Sequence, residues 1–163
     1  MLRVRAASPD DLEALVQLRL ENGRVHALLD PSVYRVPNAE QVREHFSARL
    51  AEKDPQSAVL VACVDGAVLG SAEVALDPPP PGHQILRPLL SAHVHLVVAE
   101  HARALGVGRK LEEAAEVWAT DRGVRQLVAG IQAHNRPALR FYRCRGYRDN
   151  GMVRIKDLPG PSH

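Results

Sequence analysis

Cysteine, aromatic residues and long hydrophobic runs are all scarce in this chain of 163 residues. Its two cysteines, Cys63 and Cys144, lie far apart in the sequence, which favours reduced thiols and argues against a disulfide framework. Aromatic residues account for only 4% of the chain, so stacking surfaces for nucleic-acid bases are not expected. No stretch approaches the roughly 20 unbroken apolar residues that span a bilayer, and residues 1–5 lack the apolar segment of a secretory signal. We therefore expect a cytosolic protein that binds neither membranes nor nucleic acids.

Hydrophobic residues make up 45% of the chain, which at this length is sufficient for one core but not for two. We therefore predict a single domain over residues 1–163. The net charge is only +2, and 18 of the 21 basic residues are arginine. Arginine favours planar, bidentate pairing with phosphates or carboxylates over diffuse attraction.

Hydrophobic periodicity and turn residues predict elements in the order β-α-α-β-β-β-α-β-α-β, which is typical of a mixed α/β fold with helices packed on a sheet. The predicted strands cover residues 2–6, 58–64, 67–76, 92–99, 124–131 and 152–156. The predicted helices run from about Pro9 to Leu20, from Asn38 to before Pro55, from Gly108 to about Arg122, and from Pro137 to Cys144. Asn22-Gly23 is expected to interrupt the first helix; residues 24–37 are ambiguous, and Pro31 and Pro37 favour irregular backbone or short turns. Asp65-Gly66 is expected to form a two-residue hairpin turn.

A strand followed by a glycine-containing loop and a helix, residues 92–122, has the clearest chemistry. Gly106 and Gly108 allow a sharp turn that presents backbone N–H groups, and the helix N-terminus adds partial positive charge. Arg103, Arg109 and Lys110 could add charge-assisted contacts to a phosphate. The dinucleotide fingerprint needs a third glycine at position 111, and a P-loop needs serine or threonine there. Position 111 is leucine, so neither motif is present.

Two segments together resemble the GNAT superfamily of N-acetyltransferases. Arg103, Gly106 and Gly108 match its pyrophosphate-binding pattern Arg/Gln-x-x-Gly-x-Gly/Ala. Downstream, residues 135–147 resemble its Asn-x-x-Ala-x-x-Phe-Tyr-x-x-x-Gly-Phe/Tyr segment, with agreement at Asn135, Ala138, Phe141, Tyr142, Gly146 and Tyr147. The resemblance covers roughly residues 1–156. It implies a mostly antiparallel central sheet flanked by about four helices, with acetyl-CoA as cosubstrate.

The resemblance also implies how acetyl-CoA is held. Pantetheine would pair with the strand backbone near Leu96 and Val98, and a backbone N–H of this strand would stabilise the oxyanion. Tyr142 would protonate the departing thiolate as general acid; half-buried packing is the alternative role. The implied cofactor-binding residues are Leu96, Val97, Val98, Arg103, Ala104, Leu105, Gly106, Val107, Gly108, Arg109, Lys110, Asn135, Ala138, Phe141 and Tyr142.

The sequence leaves the general base open. An ammonium with a pKa of about 10 must lose a proton before the amine attacks. His93 and His95 alternate along one strand, so both project to the same face of the sheet. Glu73 on the preceding strand and ordered water are the other candidates, and His95 could also be a structural histidine. Further ligands at suitable spacing are missing around His93 and His95, so no metal site is expected.

These features predict an acetyl-CoA-dependent N-acetyltransferase that acts on the primary amine of a small molecule by direct attack in a ternary complex. The alternatives are acetylation of a protein N-terminus or lysine, and a noncatalytic acyl-CoA-binding regulatory module. We expect residues 20–40 and 77–91 to select the acceptor. Edge strands would allow a homodimer.

Overall fold

A computed structural model of the chain describes residues 1–158. The strands are β1 (Arg3–Ala6), β2 (Ser57–Val64), β3 (Ala67–Leu76), β4 (Ser91–Val98) and β5 (Gln126–Val128). The helices are α1 (Leu12–Leu29), α2 (Ala39–Ala51), α3 (Val107–Thr120) and α4 (Arg136–Cys144). The strands form one sheet in the order β1-β2-β3-β4-β5, in which only β4 and β5 are parallel neighbours. The predicted fold class, a mostly antiparallel mixed sheet with helices, is confirmed.

The chain divides into two compact units, residues 1–130 and the residues from 131 onward. The first unit contains the whole sheet together with α1, α2 and α3, and the second contains α4. None of the helices in the described part of the chain is both long and apolar enough to cross a membrane.

The core of the first unit consists of two hydrophobic clusters. Successive residues of a strand point to opposite faces of the sheet. The side chains of β2 are therefore divided between the two clusters. Val59 and Val61 pack with Phe46 of α2 and with apolar residues of α1. Leu60 and Ala62 pack with Leu111 of α3 and with apolar residues of β3 and β4.

The first two helices begin close to the predicted residues, Pro9 and Asn38. Asn38 Oδ1 accepts hydrogen bonds from the backbone N–H groups of Glu40 and Gln41, and α2 begins directly after it. A 3-10 turn over Pro9–Asp11 follows Ser8 and leads into α1. The start of α2 is therefore determined by a side chain that satisfies the first N–H groups of the helix. Before α1, the N–H and Oγ of Ser8 donate to Asp11 Oδ2 at 2.7 and 3.1 Å.

The hairpin between β2 and β3 turns where the sequence predicts it. Asp65 has φ 48° and Gly66 has φ 86°, which is the left-handed pair that a two-residue hairpin turn of this twist requires. The prediction for this hairpin is confirmed.

The first helix is longer than predicted, because α1 continues through Asn22-Gly23 to Leu29. A Cβ on Gly23 would lie 2.7 Å from Pro37 Cδ. The glycine therefore allows the loop before α2 to pack closely against α1, rather than ending the helix. The predictions that the helix stops near Leu20 and that residues 24–29 are irregular are wrong.

The last two predicted strands also differ from the structure. Gly123 has φ 75°, and Val124 N–H donates to Ala119 O, so Val124 completes the C-terminus of α3 and β5 is confined to Gln126–Val128. Residues 152–156 form no strand within the described chain. Their apolar side chains are exposed, and an extended segment without a partner strand is not stable on its own.

Candidate active site

The two ends of β4 differ in their neighbours. β3 pairs with β4 from Ala92 to Val98, whereas β5 pairs only with the three residues Ser91–His93. Among the described residues, no strand flanks residues 94–98 of β4 on the β5 side. The sheet therefore has an opening next to the second half of β4.

The backbone groups that face this opening follow from the hydrogen bonds at the end of β4. Ala99 N–H donates to Leu69 O at 2.9 Å, and β4 pairs with β3 without a bulge. Because N–H and C=O groups alternate sides along a strand, those of Leu96 and Val98 point away from β3. These are the two residues whose backbone the family resemblance assigns to pantetheine.

The turn after β4 contains two residues with positive φ. Ala104 has φ 63° and Gly106 has φ 79°, after which the chain enters α3. Lys110 N–H donates to Gly106 O at 3.1 Å as a helical hydrogen bond. The N–H groups of residues 107–109 precede this bond and have no acceptor within the helix. Together with the helix dipole, they form an arrangement suited to phosphate.

Core packing fixes the position of this turn. A Cβ on Gly70 of β3 would lie 2.7 Å from Val97 O and 3.1 Å from Leu111 Cδ1, so only glycine allows α3 to approach the sheet this closely. Val107, the first residue of α3, is 1% exposed. The N-terminus of α3 is thus anchored to the strand that borders the opening.

Three basic side chains surround the turn and are exposed: Arg103, Arg109 and Lys110. Lys110 Nζ lies 3.2 Å from Glu113 Oε2, and Arg109 Nε lies 3.9 Å from Glu113 Oε1. Exposed ion pairs of this kind contribute little, so both cations remain available to a bound phosphate.

Four elements bring a carboxylate, a guanidinium and two imidazoles together in what we call the Glu73 cluster: Arg19, His45, Glu73 and His95. Glu73 and His95 are register partners on β3 and β4, with His95 Nδ1 4.0 Å from Glu73 Oε1. Arg19 of α1 donates to the same oxygen. His45 Nε2 of α2 lies 3.4 Å from the other oxygen, Oε2.

His95 is half-buried in this cluster. Desolvation is the main effect that lowers the pKa of the imidazole below its ordinary value of 6.5; the charges of Arg19 and His26 lower it further, and that of Glu73 opposes them. At neutral pH the ring is therefore uncharged and can accept a proton.

His93 has a different environment on the same strand. Its Nδ1 contacts Asp77 Oδ1, and Ser91 Oγ donates to Asp77 Oδ2 at 2.7 Å. The His93 side chain is 62% exposed, compared with 44% for His95. The sequence does not distinguish His93 from His95, but in the structure His93 lies beside Asp77 and His95 lies beside Glu73. Residues 1–158 contain no group of three or more His, Cys, Asp or Glu side chains placed to hold a metal ion.

A cleft of about 260 Å³ is lined by two members of the Glu73 cluster, Arg19 and His45, together with Pro37, Gln41 and Val42. Donor groups from α1 and α2 line one part of it, and apolar carbons line the rest. Such a mixture is typical of a site for a small polar molecule.

The second unit carries the downstream motif on one short helix. Asn135 Oδ1 accepts from Ala138 N–H at 3.2 Å and caps α4. Tyr142 is buried at 8% exposure, and its ring packs edge-on against Phe141 and Tyr147, at centroid distances of 5.1 and 5.0 Å. Ala138, Phe141 and Tyr142 therefore lie on one nine-residue helix, and Asn135 is its N-cap.

Sequence reasoning missed two members of the Glu73 cluster, Arg19 and His45. Arg19 lies four residues after Leu15 and three after Val16, both of which are buried. A charged residue on the apolar face of a helix is a signal for a buried or functional partner. Its partner Glu73 is far away in sequence, so only the fold identifies the pair.

Comparisons with known proteins agree with this geometry. Residues 23–147, more than half of the chain, match the model of the acetyltransferase (GNAT) family. Mycothiol acetyltransferase from Arthrobacter sp. (strain FB24) is 27% identical over 147 residues, which cover 87% of this chain and 44% of that relative. The chain therefore spans less than half the length of this curated relative.

Solved structures share the fold at low sequence identity. A tetramutant of the BH1408 protein from Bacillus halodurans has a TM-score of 0.85 at 20% identity, covering 96% of this chain and 99% of that chain. AAC(6′)-Iy in complex with the bisubstrate analogue CoA-S-monomethyl-acetylneamine has a TM-score of 0.72 at 18% identity, covering 98% and 99%. At these identities the likeness shows the fold alone.

Proposed function

The chain belongs to the acetyltransferase (GNAT) family, and from this we propose that it transfers an acetyl group from acetyl-CoA to the primary amine of a small molecule. One observation carries the proposal: among the described residues β4 has no partner strand on its β5 side beyond His93, and it leads into the left-handed turn at the N-terminus of α3. Such a pair of features can bind a molecule in which an extended arm with amide groups is joined to a pyrophosphate.

On the donor side, the outward N–H and C=O groups of Leu96 and Val98 would pair with the two amides of pantetheine. The N–H groups of residues 107–109 would receive the pyrophosphate, with Arg103, Arg109 and Lys110 adding charge. We treat residues 1–163 as one catalytic domain because the family match, residues 23–147, includes parts of both compact units. Asn135, Ala138 and Phe141 of α4 are then further cofactor contacts.

For proton transfer we assign the general base to His95 and the general acid to Tyr142. The amine nitrogen forms a bond to the thioester carbonyl carbon, and the carbon–sulfur bond breaks. His95 takes the proton that the ammonium must lose before attack, and Tyr142 gives a proton to the departing thiolate. The second proton, which the nitrogen loses as the amide forms, restores the Tyr142 phenol. Support for His95 over His93 comes from its neutral state and from its position beside Glu73. No covalent intermediate on the protein is required.

A small acceptor is supported by the size of the cleft beside the Glu73 cluster, about 260 Å³. The ligand of AAC(6′)-Iy joins CoA to an acetylneamine, which is consistent with an amine acceptor in this family. Pro37, Gln41 and Val42 would then contact the part of the acceptor beyond its amine.

Calorimetric titration with acetyl-CoA, followed by a thiol-release assay against a panel of amines, tests the proposal. We expect saturable binding of acetyl-CoA and thiol release with one class of small amine. Thiol release with peptides alone would replace the small acceptor by a protein N-terminus or lysine. Binding without release from any amine or peptide would point to a regulatory module, and absence of binding would reject the proposal.

A further inference from the structure

Arg19 and His45 have no role in the chemistry proposed so far, yet both contact Glu73. The Glu73 side chain is 20% exposed and that of Arg19 is 30% exposed, so their interaction is screened less than a surface ion pair. Arg19 contacts Oε1 and His45 is nearest to Oε2. The two residues therefore restrict Glu73 from both sides.

Phe46 of α2 holds both of these side chains in place. It is 1% exposed, and the Arg19 guanidinium lies 5.5 Å from its ring centre, within the range of a cation–π contact. The His45 ring packs edge-on against the same ring at 5.1 Å. An ion pair supported by a buried aromatic ring loses less side-chain entropy on forming than one between freely rotating groups.

We propose that Arg19 and His45 are positioning residues for His95, an assignment that rests on the proposed function. By fixing both oxygens of Glu73, they hold the carboxylate beside Nδ1 of His95, with Oε1 4.0 Å away. A neutral imidazole has two tautomers, and the negative charge beside Nδ1 favours the one that carries its proton there, which leaves the lone pair of Nε2 to take the proton of the amine.

Charge balance gives Arg19 a second effect. The charged groups that act on His95 are Arg19 and His26 of α1 and Glu73 of β3, whereas His45 of α2 acts on Glu73. The charge of Glu73 stabilises the imidazolium and opposes the desolvation that lowers the pKa of His95. Arg19 repels the imidazolium and offsets the carboxylate, so that Glu73 can select the tautomer without reversing the lowered pKa.

The experiment compares the wild type with Arg19→Gln, Arg19→Lys and His45→Gln. Long-range ¹H–¹⁵N NMR of the imidazoles in the substrate-free protein reports the tautomer and the titration of His95. The matched control is Arg43→Gln: Arg43 also links the two helices, through Glu13 at 2.8 Å, but it does not contact Glu73.

We expect His95 of the wild type to carry its proton on Nδ1. Arg19→Gln should raise the pKa of His95 and shift the acidic limb of the kcat/KM profile to a pH about one unit higher. Arg19→Lys keeps the positive charge and should largely restore the wild-type pKa. His45→Gln should mix the two tautomers and lower kcat by about threefold to tenfold, with the affinity for acetyl-CoA unchanged. Arg43→Gln should leave the tautomer of His95 and the acidic limb of the kcat/KM profile as in the wild type.

Two results would overturn the assignment: a wild-type His95 protonated on Nε2, or Arg19 and His45 variants that match Arg43→Gln. If Arg19→Gln does not fold, His45→Gln decides, because its side chain is 49% exposed and its loss leaves the core intact. The NMR measurement needs no substrate. A protein that lacks acetyl transfer, but in which the pKa of His95 depends on Arg19 and its tautomer on His45, would therefore reject the proposed function and keep the positioning roles.

Discussion

The two halves of β4 belong to one strand and have similar sequences, but they have different surroundings. Ser91–His93 lies between β3 and β5, and His93 is tied to Asp77. Residues 94–98 pair with β3 alone, and His95 lies beside Glu73. The first half is therefore interior sheet, whereas the second combines an open backbone edge with a neutral imidazole.

This difference shows how a sheet can provide a binding site without a specialised side-chain motif. Backbone N–H and C=O groups need partners, and where β5 ends, a ligand with amide groups can supply them. The same strand carries the proposed base, so donor and acceptor can meet at one short segment. Four tests of the difference between the two halves of β4 follow, in order of decreasing expected effect.

Replacing each histidine in turn gives the largest contrast. His95→Gln should lower kcat by about 100-fold or more, because a general base contributes about 10²- to 10⁴-fold. His93→Gln should change kcat by less than about threefold, since its partner is Asp77 and its side chain is mostly exposed. Thiol-release kinetics with the best amine measures both, and equal losses would contradict the assignment of the base.

Proline substitution tests the open edge directly. Val98→Pro removes an N–H that points away from β3, and should weaken acetyl-CoA binding by about tenfold, as expected for one hydrogen bond. Ala92→Pro removes an N–H on the same side where β5 does pair, and should instead lower the melting temperature. Calorimetry and thermal unfolding separate the effects. Wild-type affinity in a folded Val98→Pro protein would show that this edge does not bind the cofactor.

Gly70→Ala tests the packing that joins β4 to α3. Its Cβ would lie 2.7 Å from Val97 O, so we expect a loss of about 1–3 kcal/mol in the free energy of unfolding. Gly82→Ala is the control, because nothing lies within 4 Å of its Cβ position. Urea denaturation compares them, and equal stabilities would mean that the close approach is not required.

The pH dependence of kcat/KM gives the smallest effect. Because the pKa of His95 lies below 6.5, the base is deprotonated at neutral pH, and activity should fall only as the pH drops through that lower value. Measurements from about pH 5 to about pH 8 should place the midpoint of the acidic limb below the ordinary histidine value. The limb should disappear in His95→Gln. A midpoint above 6.5 would contradict a desolvated His95.

Local chemistry explains what could be predicted. The Asp65-Gly66 turn, the Asn38 cap and the end of α3 at Gly123 each depend on a few neighbouring residues, whose φ preferences and side-chain hydrogen bonds act wherever they occur. The two motifs at residues 103–108 and 135–147 are equally local. The family assignment could therefore be predicted before any contact was known.

Long-range contacts explain what could not be predicted. Gly23 has the sequence signature of a helix break, but α1 continues through it, and the missing Cβ leaves room for Pro37, which is distant in sequence. Residues 152–156 have strand propensity, yet they form no strand because strand propensity requires a partner.

The sequence by itself determined the fold class, the family and the glycine-containing turn after β4, because periodicity, turns and short motifs act over a few residues. Only the tertiary structure decided that β5 stops at Val128, that His95 rather than His93 lies beside Glu73, and that Arg19 and His45 hold that carboxylate. Each of these depends on residues that are distant in sequence and close in space, where strand register and side-chain desolvation set the chemistry.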